Sequence, residues 1–254
     1  MTIRARLRLR VLFAAAALTS LGVAAFALFD SGIVRFNYPS RDRFPIQGID
    51  VSHHQGRIDW PRVAAAKTVQ FAYIKATEGG DYRDASFARN WLESRQAGIV
   101  RGAYHFFTLC RPGRDQAKNY LATVPREADA LPIAVDLEFL GNCGARPSPQ
   151  AFVAELLAFL DEIRKVDPRT PVFYVTYEFY DRYLKDNIRQ VPAHHLWLRN
   201  IFYEPAQKSC ERWRLWQFAH RGRLEGIAGP VDLNVFCGDR AAFAGLLAPA
   251  TASN

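Results

Sequence analysis

The chain has 254 residues, 49% hydrophobic and 13% aromatic, with 33 Lys and Arg against 25 Asp and Glu for a net charge of +8. That composition can bury a sizeable core, so the length allows one barrel-sized domain or two small ones. Setting aside four arginines at the N-terminus leaves 29 basic against 25 acidic residues, and no Lys/Arg run carries interleaved aromatics. A nucleic-acid partner is thereby excluded, while a weak attraction to an anionic polymer remains open.

Met1 to Arg10 contains Arg4, Arg6, Arg8 and Arg10 and no acid, and Val11 to Phe29 contains no charged residue. At about 1.5 Å per residue, those apolar residues span roughly 28 Å, close to the hydrocarbon thickness of a bilayer. Residues 1–30 therefore read as a membrane-targeting helix, either a retained signal anchor or a signal peptide cleaved near Ala25-Phe26-Ala27. The arginines hold the N-terminus in the cytoplasm, which exports everything after Asp30 to the periplasmic or cell-envelope side of a bacterial inner membrane. All four cysteines lie in the exported part, where disulfides form. Three pairings are possible. If the strands preceding Cys110 and Cys143 are neighbours, their loops meet, which favours Cys110 with Cys143 and Cys210 with Cys237. Zinc ligation is the weaker alternative, since no C-x2-C spacing supports it.

After a linker over residues 31–45, short apolar runs alternate with helical stretches. Ile46 to Ser52 reads as the first strand and Asp59 caps a helix through Lys67, with Pro61 in its first turn. Phe71 to Thr77 is a second strand, Asp84 to Gln96 a helix stopped by Gly98, and Val100 to Phe107 a third strand. A helix from Arg114 to Thr123 leads to the fourth strand, in Leu131 to Phe139. Ser148 and Pro149 open a helix to Val166, and its Phe152, Leu156, Phe159, Leu160 and Ile163 form an apolar stripe. Pro171 to Thr176 is a fifth strand and Glu178 to Lys185 a helical turn or two. Leu196 to Arg199, Trp213 to Ala219 and Val231 to Phe236 are strands without intervening helices. Asp239 to Leu247 closes the domain, and 248–254 is a tail. Five β/α units plus three further strands predict an α/β, TIM-like barrel over residues 46–247.

The run LPIAVDLEF ends with two carboxylates, Asp136 and Glu138, two residues apart. Residues i and i+2 of a strand share a face, and ionised carboxylates resist burial, so the pair is expected to open onto a water-filled pocket. Taken alone, such a pair is more often a salt-bridged strand end than a site for acid/base chemistry or metal binding. The barrel adds two more acids at the C-terminal strand ends, Asp50 and Asp232. From other strands come the candidate substrate-binding residues Tyr73, Lys75, Glu78, Tyr104, His105, Tyr174, Trp197, Trp216 and Gln217. Rings such as Tyr174, Trp197 and Trp216 suit the flat apolar faces of sugars. Phe87 and Trp91 are read as core, and the pairs His53/His54 and His194/His195 as exposed loop residues. No His/Asp spacing calls for a metal, and no cofactor is expected.

With these residues in place, the chain resembles the lysozymes of glycoside hydrolase family 25. Seven blocks carry the resemblance in order over residues 46–238: GIDVSHHQG from Gly48, YIKATEG from Tyr73, GAYHFF from Gly102, PIAVDLEF from Pro132, FYVTY from Phe173, LWLR from Leu196, and LWQF followed by GIAGPVDLNVF. The resemblance implies hydrolysis of the β-1,4 bond between N-acetylmuramic acid and N-acetylglucosamine in peptidoglycan. It implies Glu138 as general acid and Asp136 as its partner in a substrate-assisted reaction, with Asp50 and Asp232 as the other acids of the site. Arg199 departs from the family pattern, which more often has a small residue there. No wall-binding repeats follow the barrel, so a membrane-held barrel is expected to find peptidoglycan by location, acting as a monomer. Two other readings stay open: a chitinase-like hydrolase of N-acetylglucosamine polymers, which also uses a D-x-E strand end, and a catalytically silent, membrane-tethered wall-binding protein.

Overall fold

The computed structural model describes residues 3–31, 34, 37–205, 210 and 213–247, so the tail over 248–254 and part of the expected linker lie outside the described residues. Two units emerge, Met1–Tyr38 and Pro39–Asn254. The first contains α1 (Ile3–Asp30), a continuous helix. Its stretch Arg10–Phe29 is long and apolar enough to cross a membrane, a property that signal sequences share.

In the second unit the strands are β1 (Gln47–Val51), β2 (Phe71–Glu78), β3 (Tyr82–Arg83), β4 (Val100–Phe106), β5 (Ala134–Leu137), β6 (Val172–Val175), β7 (His195–Arg199), β8 (Leu215–Gly222) and β9 (Val231–Phe236). Eight of them form a closed barrel in the order β1-β9-β8-β7-β6-β5-β4-β2, with β1 pairing back onto β2. The two-residue β3, which the sequence pattern does not reveal, only extends β2 as a hairpin. Five helical connections follow the first five barrel strands: α2 (Trp60–Ala65), α3 (Phe87–Gln96), α4 (Gly113–Leu121), α5 (Pro149–Val166) and α6 (Tyr177–Phe179), the last running into a π-helical turn over Tyr180–Leu184. The remaining strands β7, β8 and β9 follow without such helices, and α7 (Arg240–Gly245) closes the chain, as five β/α units plus three strands require.

One expectation about direction fails. Strand β9 runs antiparallel to both β1 and β8, so Asp232 lies near its beginning rather than its C-terminal end. The antiparallel turn itself brings that beginning to the rim where the parallel strands end.

Local chemistry explains the helix starts. The Asp59 carboxylate accepts from the backbone N–H of Arg62 at 3.1 Å, with Pro61 in the first turn. Ser148 does the same for Ala151 at 3.2 Å, ahead of Pro149. From there α5 buries the expected stripe of Phe152, Leu156, Phe159, Leu160 and Ile163 against the outside of the barrel. Phe87 and Trp91 of α3 join the same outer core. Truncating one such ring, Phe159→Ala, would cost about 3–5 kcal/mol.

Inside the barrel a second apolar cluster includes Ile46, Phe71, Tyr73, Ala134, Val172, Trp197, Leu215 and Phe236, with Phe243 of α7 and Leu246 just after it packed at its base. Its packing needs small partners for large ones. Gly48 faces Phe71 in register, and a Cβ there would come within 2.5 Å of the ring. The floor is thus dry and full, so any open space must lie toward the rim.

Both disulfides pair as the loop argument favours. Cys110 follows β4 and Cys143 follows β5, which are adjacent strands, and their Cα atoms lie 6.4 Å apart. Cys210 joins Cys237 with Cα atoms 5.3 Å apart.

Candidate functional site

Period-two alternation builds the site. Each barrel strand sends every second side chain inward, and the last inward position of several strands carries a polar group. The result is a cavity of about 90 Å3 lined by Asp50, Tyr104, Asp136, Glu138, Tyr174, Trp197, Gln217 and Asp232. All four predicted acids converge on it. Asp136 belongs to β5, whereas Glu138 stands one residue beyond the strand end and also lines a groove leading outward from the cavity.

The acids fall into two pairs with different surroundings. Asp50 and Asp232 sit directly opposite each other across the β1–β9 ladder and share a side-chain hydrogen bond. Asp50 Oδ2 also accepts from Gln217 Nε2 at 3.0 Å and from Asn234 Nδ2 at 2.7 Å. Burial raises Asp50, with these donors pulling the other way, while burial and the charge of Asp50 hold Asp232 well above the carboxylate range. Asp232 is therefore the member of this pair that keeps its proton and donates it.

Asp136 has no such support. Its Oδ1 is buried without a hydrogen-bond partner among the described residues. Burial, and then the Glu138 charge, push it well above the usual range. Glu138, nearer the mouth, is raised from 4.5 to about 7 by burial, and Arg199 and Lys75 oppose the rise. A carboxyl at that value changes protonation near neutral pH, which suits a group that must both give and take a proton.

The surrounding polar residues brace one another. Tyr174 donates its hydroxyl to Gln217 Oε1 at 3.0 Å, and Trp197 donates Nε1–H to Asn234 Oδ1 at 2.9 Å. Asn234 thus links the Trp197 wall to Asp50. Asn234 is not among the residues expected from the sequence, but it stands two residues after Asp232 and so shares its inward face. Lys75 and Glu78 pair at 2.7 Å, off the cavity wall, with the Lys75 ammonium 5.1 Å from the Phe106 ring. His53 and His54 are exposed, as expected, yet His53 is anchored: its N–H and Nδ1 lie 3.0 and 2.8 Å from Asp84 Oδ2. His194 and His195 are partly buried instead, His194 stacking on Phe173.

Besides Lys75 and Glu78, three more predicted substrate-binding residues are not on the cavity wall. His105 points outward from β4, held by Thr77 Oγ1 at 2.8 Å and Gln116 Oε1 at 3.1 Å, and burial lowers it to about 4, so it stays neutral. Trp216 also points outward, donating to the Asn200 carbonyl at 2.8 Å and packing on Phe44 and Phe218. Tyr73 does face inward, but one layer too deep, beneath Trp197, with its hydroxyl on the Pro132 carbonyl at 3.2 Å. Alternation turns the first two away, and the packed floor buries the third.

The sequence and its barrel match known proteins. A family model described as glycosyl hydrolases family 25 covers residues 49–227. The chain belongs to glycosyl hydrolase family 25. It is 36% identical over 199 residues to the uncharacterized protein YegX of Escherichia coli (strain K12), which covers 77% of this chain and 71% of that relative. Lysozyme M1 of Streptomyces globisporus is 30% identical over 210 residues, covering 79% of this chain and 70% of that one. Among solved structures, a family 25 glycosyl hydrolase from Bacillus anthracis superposes with a TM-score of 0.74 and 33% identity, covering 84% of this chain and 98% of the other. The protein is accordingly a glycoside hydrolase of family 25. Its two disulfides and apolar N-terminal helix are consistent with export.

Proposed function

We propose that the protein hydrolyses the β-1,4 bond between N-acetylmuramic acid and N-acetylglucosamine in peptidoglycan. The observation that carries this reading is the contrast within the Asp136/Glu138 pair: an unpartnered buried carboxylate oxygen beside a carboxyl poised near pH 7. In the proposed reaction Glu138 donates its proton to the glycosidic oxygen as that bond breaks. The carbonyl oxygen of the sugar's own N-acetyl group attacks the anomeric carbon, and its N–H donates to Asp136 Oδ1. That hydrogen bond favours the Asp136 carboxylate against the burial that favours its neutral form, and any proton it carries leaves to solvent as the sugar binds. Water, deprotonated by Glu138, then opens the cyclic intermediate and returns the enzyme to its starting state. Asp232 and Asp50, the latter tied to Gln217 and Asn234, hold the opposite wall, with Tyr104, Tyr174 and Trp197 completing the surface against which the sugar packs.

The N-terminal helix supports delivery of the barrel to the periplasmic side, and we assign residues 1–30 to a signal peptide or anchor, with the barrel working as a monomer. Relatives named as lysozymes and muramidases support peptidoglycan as the substrate. Reducing ends released from purified peptidoglycan and from chitin test the reading. Muramic acid at the new reducing ends of peptidoglycan, with chitin uncut and lysis lost in Glu138→Gln, is the expected outcome. Near-normal lysis by a folded Glu138→Gln variant would overturn the assignment of the acid.

A further inference from the structure

The groove beyond Glu138 has a volume of about 630 Å3 and an uneven lining. Tyr177, Phe202 and Tyr203 present exposed rings along it, 45%, 51% and 70% accessible. At its inner end, beside Glu138, stands Arg199. This residue ends β7 two positions after Trp197, whose ring lines the cavity, so alternation turns both toward the interior. The half-buried Arg199 guanidinium has no hydrogen bond and no ion pair within 4.0 Å among the described residues. It is nonetheless close enough to Asp50, Glu138 and Asp232 to stabilise their charged forms. The other carboxylate on the groove is Glu178, which is exposed on the α6 side.

A planar guanidinium left without a protein partner at the junction of a catalytic cavity and an aromatic groove is placed to take a carboxylate through paired N–H donors. The substrate carries one. The 3-O-lactyl arm of a muramic acid residue ends in a carboxyl that is free on a bare glycan and amide-linked to a stem peptide elsewhere, the peptide then supplying carboxylates of its own. We propose that Arg199 is a specificity-determining residue that grips a carboxylate borne on this lactyl arm, while the exposed rings of the groove support the arm or its peptide. The inference rests on the muramidase reading above and deepens it. It assigns the groove to the substituent of the sugar, where the cavity takes the ring.

Binding and turnover together provide the test. Glycan strands are prepared in three forms: bare with free lactyl carboxylates, bare with those carboxylates converted to amides, and peptide-bearing. Their dissociation constants are measured on the full chain carrying Glu138→Gln, with and without Arg199→Gln, so that neither turnover nor an altered Glu138 interferes. With Arg199 present, bare strands are expected to bind about 10-fold or more tightly than amidated ones, the scale of a charge-assisted hydrogen bond. With Arg199→Gln that preference should vanish, and Arg199→Lys should restore part of it. A preference for peptide-bearing over amidated strands that also depends on Arg199 would place the gripped carboxylate on the peptide instead of the lactyl group, within the same proposal. Equal loss of affinity for all three forms, or no loss, would overturn it. In the chain with Glu138 intact, Arg199→Gln should raise KM more than it lowers kcat. If that chain releases no reducing ends from any form, the muramidase reading fails, while the binding arms still decide the role of Arg199.

Discussion

The two acid pairs face each other across one small cavity and are built on opposite plans. Asp50 and Asp232 come from opposite ends of the chain, meet across an antiparallel ladder, and are satisfied by protein: each bonds the other, and two side-chain amides converge on Asp50. Asp136 and Glu138 are neighbours on one strand end, share no bridging donor, and leave Asp136 Oδ1 without a partner. Burial raises all four carboxyls, but only on the second side is the resulting penalty left unrelieved by protein hydrogen bonds. A site that spends its donors on one pair and withholds them from the other has a wall that is finished before substrate arrives and a wall that substrate must finish.

Substitutions on the unfinished wall should damage activity most and stability least. Glu138→Gln removes the proposed proton donor and is expected to lower kcat by about 10²- to 10⁴-fold. Its melting temperature should equal or exceed that of the wild type, because a strained carboxyl has been neutralised. Asp136→Asn keeps the shape but loses the proposed acceptor for the substrate N–H, with an expected loss of about 10²- to 10³-fold in kcat. Little change in KM would mark the interaction as one made in the transition state, and thermal denaturation should again show no loss.

The finished wall should respond in the opposite sense. Asn234→Ala removes a donor from Asp50 and the acceptor of Trp197 Nε1–H, leaving buried groups unpaired. A loss of about 1–3 kcal/mol per group is expected in chemical denaturation, ahead of any comparable loss in kcat. If Asn234→Ala proves as stable as wild type while Asp136→Asn unfolds, the two walls have been assigned the wrong way round.

The smallest effect is a slope. Below about pH 4.5 both folded and unfolded chains hold the Glu138 proton; between there and about 7 the unfolded chain releases it while the folded chain retains it. Stability contributed by this group is therefore present at the acid end and is lost as pH rises through about 7. Melting curves of wild type and Glu138→Gln across that window should converge at the acid end and separate toward neutral pH. At the upper edge of that window kcat/KM of the wild type should begin to fall, above about pH 7, as the proposed proton donor empties.

Much of this architecture can be read from the residues. The alternation of apolar runs with capped helices yields the barrel, and the D-x-E strand end, with Asp50 and Asp232, yields the acids. What the sequence hides is direction and depth. VDLNVF looks the same whether the strand enters or leaves the rim, so Asp232 is easily placed at the wrong end of β9. The period-two rule, applied residue by residue, would have excluded His105 and Trp216, since their neighbours Tyr104 and Gln217 already face inward, and would have admitted Asn234 two places after Asp232. No pattern distinguishes Tyr73 from Tyr174. Both point inward, and only the stacking of Trp197 above Tyr73 shows that one is floor and the other wall.

The antiparallel course of β9 also sets the order in which a site can come into being. Asp50 emerges early from the ribosome, but its Asn234 donor lies 184 residues downstream, as does the strand that covers the second edge of β1. Until Val231–Phe236 has been synthesised and has closed the ring, the Asp50/Asp232 wall of the cavity is missing and β1 keeps an open edge. A ribosome-bound or truncated chain with every earlier strand in place is therefore expected to be inert, and the hydrolase to become competent only once its last strand has joined the ring.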